Sequence, residues 1–138
     1  MARPPSKTPT DGELEILRVL WAKGKLNLSS LCEVLRAERE VATTTVATML
    51  KVMLDKGLVK RTGTGRGVQW SAAVSRDRTA QGIVGKVIDG VFEGSTWRLV
   101  AHLVESKQLS DADLNELEEL VNSKRSKEKE NKKREGRP

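Results

Sequence analysis

Cysteine and histidine are almost missing from this chain: its 138 residues hold one of each, Cys32 and His102. A single cysteine excludes an internal disulfide and fits a reducing compartment, so a cytoplasmic location is expected. One histidine, one cysteine and no clustered ligands leave no nucleophile–base pair and no metal set. Enzyme activity, a bound metal and a cofactor are therefore not expected. Cys32 follows Leu31 and reads as a small buried hydrophobe. His102 lies inside an apolar stripe and reads as a core or interface residue rather than a switch. Long apolar runs are also lacking. None approaches the roughly 18 residues a membrane span needs, and the opening MARPPSKTPTDG has no apolar core to act as a signal peptide or anchor. Aromatic residues make up 3% of the chain; Trp21, Trp70 and Trp97 read as anchors of a core or interface.

What is abundant is charge, unevenly placed. The net charge is +6. Residues 1–74 carry 12 Lys/Arg against 7 Asp/Glu, residues 75–122 carry 5 against 9, and residues 123–138 carry 8 against 3. A basic front, an acidic middle and a basic end suggest that only part of the chain faces a polyanion.

Residues 1–9 contain three of the four prolines and predict a disordered arm. Thr10-Asp11-Gly12-Glu13 has the form of a capping box. Leu14, Leu17, Leu20 and Trp21 follow at helical spacing, with a stop at Gly24. Lys25 to Leu28 suits a short strand. Leu31, Val34 and Leu35 mark a second helix capped by Asn27 or Ser29. A third helix is expected from Thr43 to Lys56, with Val46, Met49, Leu50, Met53 and Leu54 inward and Gly57 as its left-handed end. Leu58–Thr62 and Val68–Ala72 are β-prone runs joined by Gly63-Thr64-Gly65-Arg66-Gly67. Those glycines lie between two strands, whereas a phosphate-cradling loop joins a strand to a helix; a hairpin tip is the better reading. The predicted fold is mainly α with a small β-hairpin: a winged helix-turn-helix over 10–74, then helices.

In residues 75–122 the pattern is helical again. Ile83, Val84, Val87, Ile88 and Val91 form one stripe. Leu99, Val100, Leu103 and Val104 form a second. Leu114, Leu117, Leu120 and Val121, behind a Ser110 cap, form a third. Three short helices bury little alone, so Ile83, Val84, Val87, Ile88, Val91, Leu99, Leu103, Leu114, Leu117, Leu120 and Val121 are expected to pair with a second copy of the chain. The acidic pairs Asp111/Asp113 and Glu118/Glu119 read as helix-start charges and a solvated face. Residues 123–138 predict a basic, disordered tail that could add non-specific affinity for DNA.

The third helix is the candidate reading head. In a helix-turn-helix the second helix lies in the major groove and its first turns meet base edges; here these are Thr43, Thr44, Thr45, Ala47 and Thr48. Threonine can bond a phosphate or a base edge, and threonine and alanine methyls can touch thymine. Lys51, Lys60, Arg61 and Arg66 are the candidate phosphate contacts, each adding to a salt-dependent term. A competing reading is a winged helix used for protein–protein contacts, with the acidic half binding a partner. Lys51, Lys60, Arg61 and Arg66 with few acids nearby favour double-stranded DNA.

ELEILRVLWAKG, TTTVATMLKVMLDKGLVKR and GRGVQW, in that order, resemble the penicillinase repressor family, and the likeness extends through LVAHLVESKQLSDADLNELEELV to Asn122. The resemblance implies a homodimeric winged-helix repressor that occludes a promoter at a pseudo-palindromic operator. The chain departs from that family at several points. Val52, Thr44 and Ala47 stand where family members carry basic residues, and Ala42 where a serine cap is common. Some relatives are inactivated by a regulatory protease cutting an Asn-Phe bond; the aligned pair here is His102-Leu103. Copper-sensing relatives carry a Cys-x-Cys pair, which a chain with only Cys32 lacks.

Overall fold

A computed structural model describes residues 8–136. The order is α1 (Asp11–Lys23), α2 (Leu28–Arg36), α3 (Thr43–Lys56), β1 (Val59–Thr62), β2 (Gln69–Ala72), α4 (Arg76–Val91), α5 (Thr96–Glu105) and α6 (Asp111–Glu135), with one 3₁₀ turn at Gly65–Gly67. The chain divides into two compact units within α4, after Lys86. The sequence suggested a boundary at 74/75. The first turns of α4 instead stay with the winged helix, where Thr79 and Ile83 border a depression shared with Leu58 and Val74.

The first unit is built around three helices. The capping box at α1 forms as read: Glu13 N donates to Thr10 Oγ1 at 3.2 Å and Thr10 N to Glu13 Oε1 at 2.9 Å. Asn27 caps α2. At the end of α3, Gly57 takes φ 79° and the Leu58 amide reaches back to the Met53 carbonyl at 2.9 Å, which satisfies carbonyls the helix leaves open. The buried faces then meet. Ile16, Leu17 and Leu20 of α1, Leu31, Cys32 and Leu35 of α2, and Val46, Leu50 and Met53 of α3 close over Leu58, Val59 and Trp70. Leu54, expected inward, lies on the surface instead: it stands one residue beyond Met53, about 100° around the helix.

β1 and β2 pair antiparallel, Arg61 opposite Trp70 and Lys60 opposite Ser71. Leu26 forms a single bridge to Trp70 on the other edge of β2, so the short strand read at Lys25–Leu28 is one residue of pairing. The hairpin needs glycine at Gly63. Its φ is 87°, and any Cβ there would collide with the Gly67 carbonyl oxygen.

Among the expected disordered segments, residues 1–7 lie outside the described residues. Thr8 and Pro9, read as the end of that arm, are half-buried beside Leu58 and Val74. The basic tail is a correction: residues 123–135 continue α6 without a break. Its lysines, arginines and glutamates are good helix formers, Gly136 is the first breaker after them, and Lys132, Lys133 and Arg134 suit the negative end of the helix dipole. Charge density was the wrong criterion there.

The second unit consists of the end of α4, α5 and α6. Ser95 caps α5, and Ser110 with Asp113 forms a capping box on α6. No described residue of these helices is fully buried. Val87, Val91, Leu103, Leu114, Leu120 and Val121 are exposed, Leu120 at 67%, and Val84 is exposed on the part of α4 in the first unit; Ile83, Ile88, Leu99 and Leu117 are half-buried. Trp97 is 73% exposed, so it anchors no core within this chain. His102 is exposed, with its ring 5.6 Å from that of Phe92. Among the described residues no helix is long and apolar enough to cross a membrane.

Candidate nucleic-acid interface

Burial of Val46, Leu50 and Met53 settles which side of α3 faces outward. Thr43, Thr44, Thr45, Thr48 and Lys51 are exposed and Ala47 is half-buried. Thr44, Ala47, Thr48 and Lys51 recur at i, i+3, i+4 and i+7, so they form one continuous row. Val52 stands beside this row, 44% exposed.

Two of the hydroxyls are already engaged. Thr48 Oγ1 donates to the Thr44 carbonyl at 2.9 Å. Its proton is used, and the oxygen remains an acceptor. Thr43 Oγ1 accepts from Arg36 Nη2 at 2.6 Å, which leaves its own proton free. Arg36 also donates through Nε to the Val41 carbonyl at 3.0 Å. It thus ties the end of α2 to the start of α3. Ala42 gives α3 no side-chain cap, and the Arg36 clamp orders the turn in its place. The sequence reading missed Arg36. Its signal was a basic residue in the last turn of α2, which is also where a helix dipole alone would put one.

The wing cations do not act as one group. Val59 and Arg61 share a face of β1, because side chains alternate along a strand. Val59 is buried on that face, and the Arg61 guanidinium stands 5.9 Å from the Trp70 ring centre. Lys60 points to the opposite face. A cleft of about 460 Å³ lies between α3 and the wing. Its floor includes Leu28, Leu50, Val68 and Trp70, and Lys51, Arg61 and Arg66 converge on it, with Asn27 and Ser29 from the start of α2. The structure therefore joins Lys51, Arg61 and Arg66 and separates Lys60 from them. None of the three forms an ion pair among the described residues.

One buried ion pair fixes the helix that carries the row. Lys56 Nζ, at the end of α3, donates to Glu13 Oε1 at 2.7 Å, and both side chains are under a tenth exposed. Burial pushes the Glu13 carboxyl up. The Lys56 ammonium and the hydrogen bonds from Thr10 outweigh that and hold it below its ordinary value. Trp21 Nε1 donates to the Val74 carbonyl at 2.9 Å, with the Arg76 guanidinium 5.4 Å from the Trp21 ring. This ties α1 to the segment that follows β2.

In the second unit, Val100, Leu103, Leu109, Leu117 and Leu120 line a groove edged by Asp113, Glu116 and Glu119. His102 and Leu103 lie within the regular turns of α5. A protease binds its substrate extended, so cutting there requires that part of α5 to open.

The match to known proteins spans both units. The family model described as penicillinase repressor covers residues 9–123. The methicillin resistance regulatory protein MecI of Mammaliicoccus sciuri is 24% identical over 119 residues, which span 83% of this chain and 94% of that protein. The penicillinase repressor of Bacillus licheniformis is 22% identical over 121 residues, 88% of this chain and 94% of the relative. An uncharacterised 16.5 kDa protein from the 3′ region of ptsI in Latilactobacillus sakei is 24% identical over 115 residues, 83% of this chain and 79% of its own length. With the family model matched along most of the chain, through the winged helix and into α6, this protein belongs to the penicillinase repressor family of transcriptional repressors.

Proposed function

We propose that this chain is a homodimeric, DNA-binding repressor of the cytoplasm that occludes a promoter by sitting on a pseudo-palindromic operator. The observation that carries this reading is the cleft between α3 and the wing, where Lys51, Arg61 and Arg66 meet beside an exposed row of threonines. A groove-docked α3 places Thr44, Thr45, Ala47 and Thr48 against base edges, and the three cations against phosphates on either side.

The hydrogen bonds divide the work of the threonines. Thr43, with its proton free, suits a phosphate oxygen. Thr48, held as an acceptor by its bond to the Thr44 carbonyl, suits a base amino group, adenine N6 or cytosine N4. The row contains no arginine or lysine before Lys51, so the bidentate guanine contact is not part of its readout. Affinity then rests mainly on phosphates and falls steeply with salt.

Dimerisation is assigned to the apolar stripes of α4, α5 and α6. Val84, Val87, Val91, Leu103, Leu114, Leu120 and Val121 are exposed there, and Ile83, Ile88, Leu99 and Leu117 are half-buried beside them in sequence. A two-fold dimer presents two reading heads and predicts half-sites one or two helical turns apart, about 10 bp or a multiple. Release by a regulatory protease at His102-Leu103 would first need α5 to unwind there.

The decisive experiment is selection of bound fragments from random and genomic DNA by the full chain. Enrichment of a palindromic motif supports the reading. Recovery of no DNA above background, with the protein folded and dimeric, would leave a protein-contact module as the better description.

A further inference from the structure

We propose that the C-terminal stretch of α6, residues 124–135, is a second contact for duplex DNA that grips phosphates without reading sequence; this rests on the DNA-binding reading above. The matched family region ends at residue 123, whereas α6 continues to Glu135. The added helix carries seven Lys/Arg against three Glu. All of its residues are exposed, and among the described residues none takes part in an ion pair.

The arrangement of charge argues against a merely solvated helix. Glu128 with Lys132, and Glu130 with Arg134, have the i, i+4 spacing that supports a free helix. Arg125 and Lys133 each have a glutamate three residues away, Glu128 and Glu130, but Lys129 has none at i±3 or i±4. Arg125, Lys129 and Lys133 also add an opposing effect. They form a like-charge row at i, i+4 and i+8, with Lys132 beside it, and each such step weakens an isolated helix by about 0.2–0.5 kcal/mol. At 1.5 Å rise per residue the three cations stand about 6 Å apart along roughly 12 Å of helix. A polyanion laid along the row removes the repulsion.

The chemistry selects among polyanions. From Asn122 to Glu135 there is no apolar residue. A helix lying in a membrane surface needs an apolar face, and a helix docking in a protein groove needs apolar anchors. Single-stranded nucleic acid is held largely by aromatic stacking, and this stretch has no ring. Duplex phosphates require only cations. The row turns away from the apolar side of α6 as it proceeds. Glu128 and Glu135 fall at seven-residue steps from Val121 and so continue that side, while Arg125, Lys129 and Lys133 lie about 40°, 80° and 120° around from Val121.

The test uses the full chain, a quadruple variant Arg125→Gln, Lys129→Gln, Lys132→Gln and Lys133→Gln, and a truncation after Ser123. Glutamine keeps helix propensity, and circular dichroism checks that it does. Anisotropy with a labelled random-sequence duplex, over a salt series, gives affinity and slope. The variant and the truncation should both bind about 10- to 100-fold more weakly at low salt, with a log–log slope shallower by about 2 to 3 units, and an unchanged ratio of operator to random affinity. A wing variant, Arg61→Gln with Arg66→Gln, is run alongside. An unchanged slope in the quadruple variant, with a loss in the wing variant, overturns this proposal and keeps the reading head. A loss in the quadruple variant with none in the wing variant supports it and removes the wing. Binding through the same four residues to phosphatidylserine-containing vesicles as tightly as to the duplex makes the partner a membrane surface and overturns the choice of DNA.

Discussion

Replacing Lys56 with methionine should destabilise the winged helix by about 3 kcal/mol, and the penalty should shrink in acid. The pair it breaks is buried and joins residues 43 apart in sequence. Removing one partner of a buried pair typically costs about 3–5 kcal/mol, because the other charge is left desolvated. Glu13 would keep one good donor, the Thr10 amide at 2.9 Å, which places the cost at the low end. For a unit of this size each kcal/mol moves Tm by about 4–8 °C, so a drop of about 12–24 °C is expected. The pH dependence has a definite sign. In the native protein the Glu13 carboxyl is held below its ordinary value of 4.5. Its contribution is therefore fully present above that value and is lost as pH falls through the lower, folded one. Without Lys56 burial dominates and raises the carboxyl, so protonation at pH 4 relieves the variant rather than harming it. Glu13→Gln combined with Lys56→Met should recover most of the loss, since glutamine can still accept from Thr10. Urea unfolding of the three proteins at pH 7 and pH 4, followed by circular dichroism, measures each difference. A Lys56→Met penalty below about 1 kcal/mol at pH 7, or one that is equal at both pH values, would refute the argument.

Arg61→Gln with Arg66→Gln should weaken operator and random DNA alike and flatten the salt slope by about 2 units in anisotropy titrations, whereas Lys60→Gln, on the other face of the hairpin, should change the slope by less than half as much. Leu120→Glu should leave the stability of the monomer within about 0.5 kcal/mol, as expected at an exposed site, yet sediment as a monomer; a dimer of undiminished affinity would move the interface away from α6. Gly63→Ala should cost about 1–3 kcal/mol through its left-handed backbone and its collision with the Gly67 carbonyl, read as a lower Tm together with weaker DNA binding.

Much of the winged helix was legible in the sequence because its signals are local. The capping box at Thr10, the glycine after Lys56 and the glycine-rich tip each act within a few residues, and helix α3 has the bounds its pattern predicts. The tail differs for a related reason: its charge predicts disorder, whereas the same residues favour a helix that no proline interrupts, and α6 continues to Glu135. Lys60 and Arg61, both candidate phosphate contacts, are neighbours on the first wing strand. Alternation along β1 sends them to opposite faces, and only Arg61 reaches the cleft with Lys51 and Arg66.

The sequence by itself determined the elements of the winged helix and their order, and singled out α3 as the candidate reading helix, since apolar periodicity and caps depend on near neighbours. Tertiary structure alone decided which cations share a cleft, that Arg36 clamps Thr43 in place of a cap, and that Lys56 is locked to Glu13. It also left the apolar stripes of α5 and α6 uncovered. These features depend on distances between residues far apart along the chain or on facing turns, which no local pattern encodes and only packing of the helices can set.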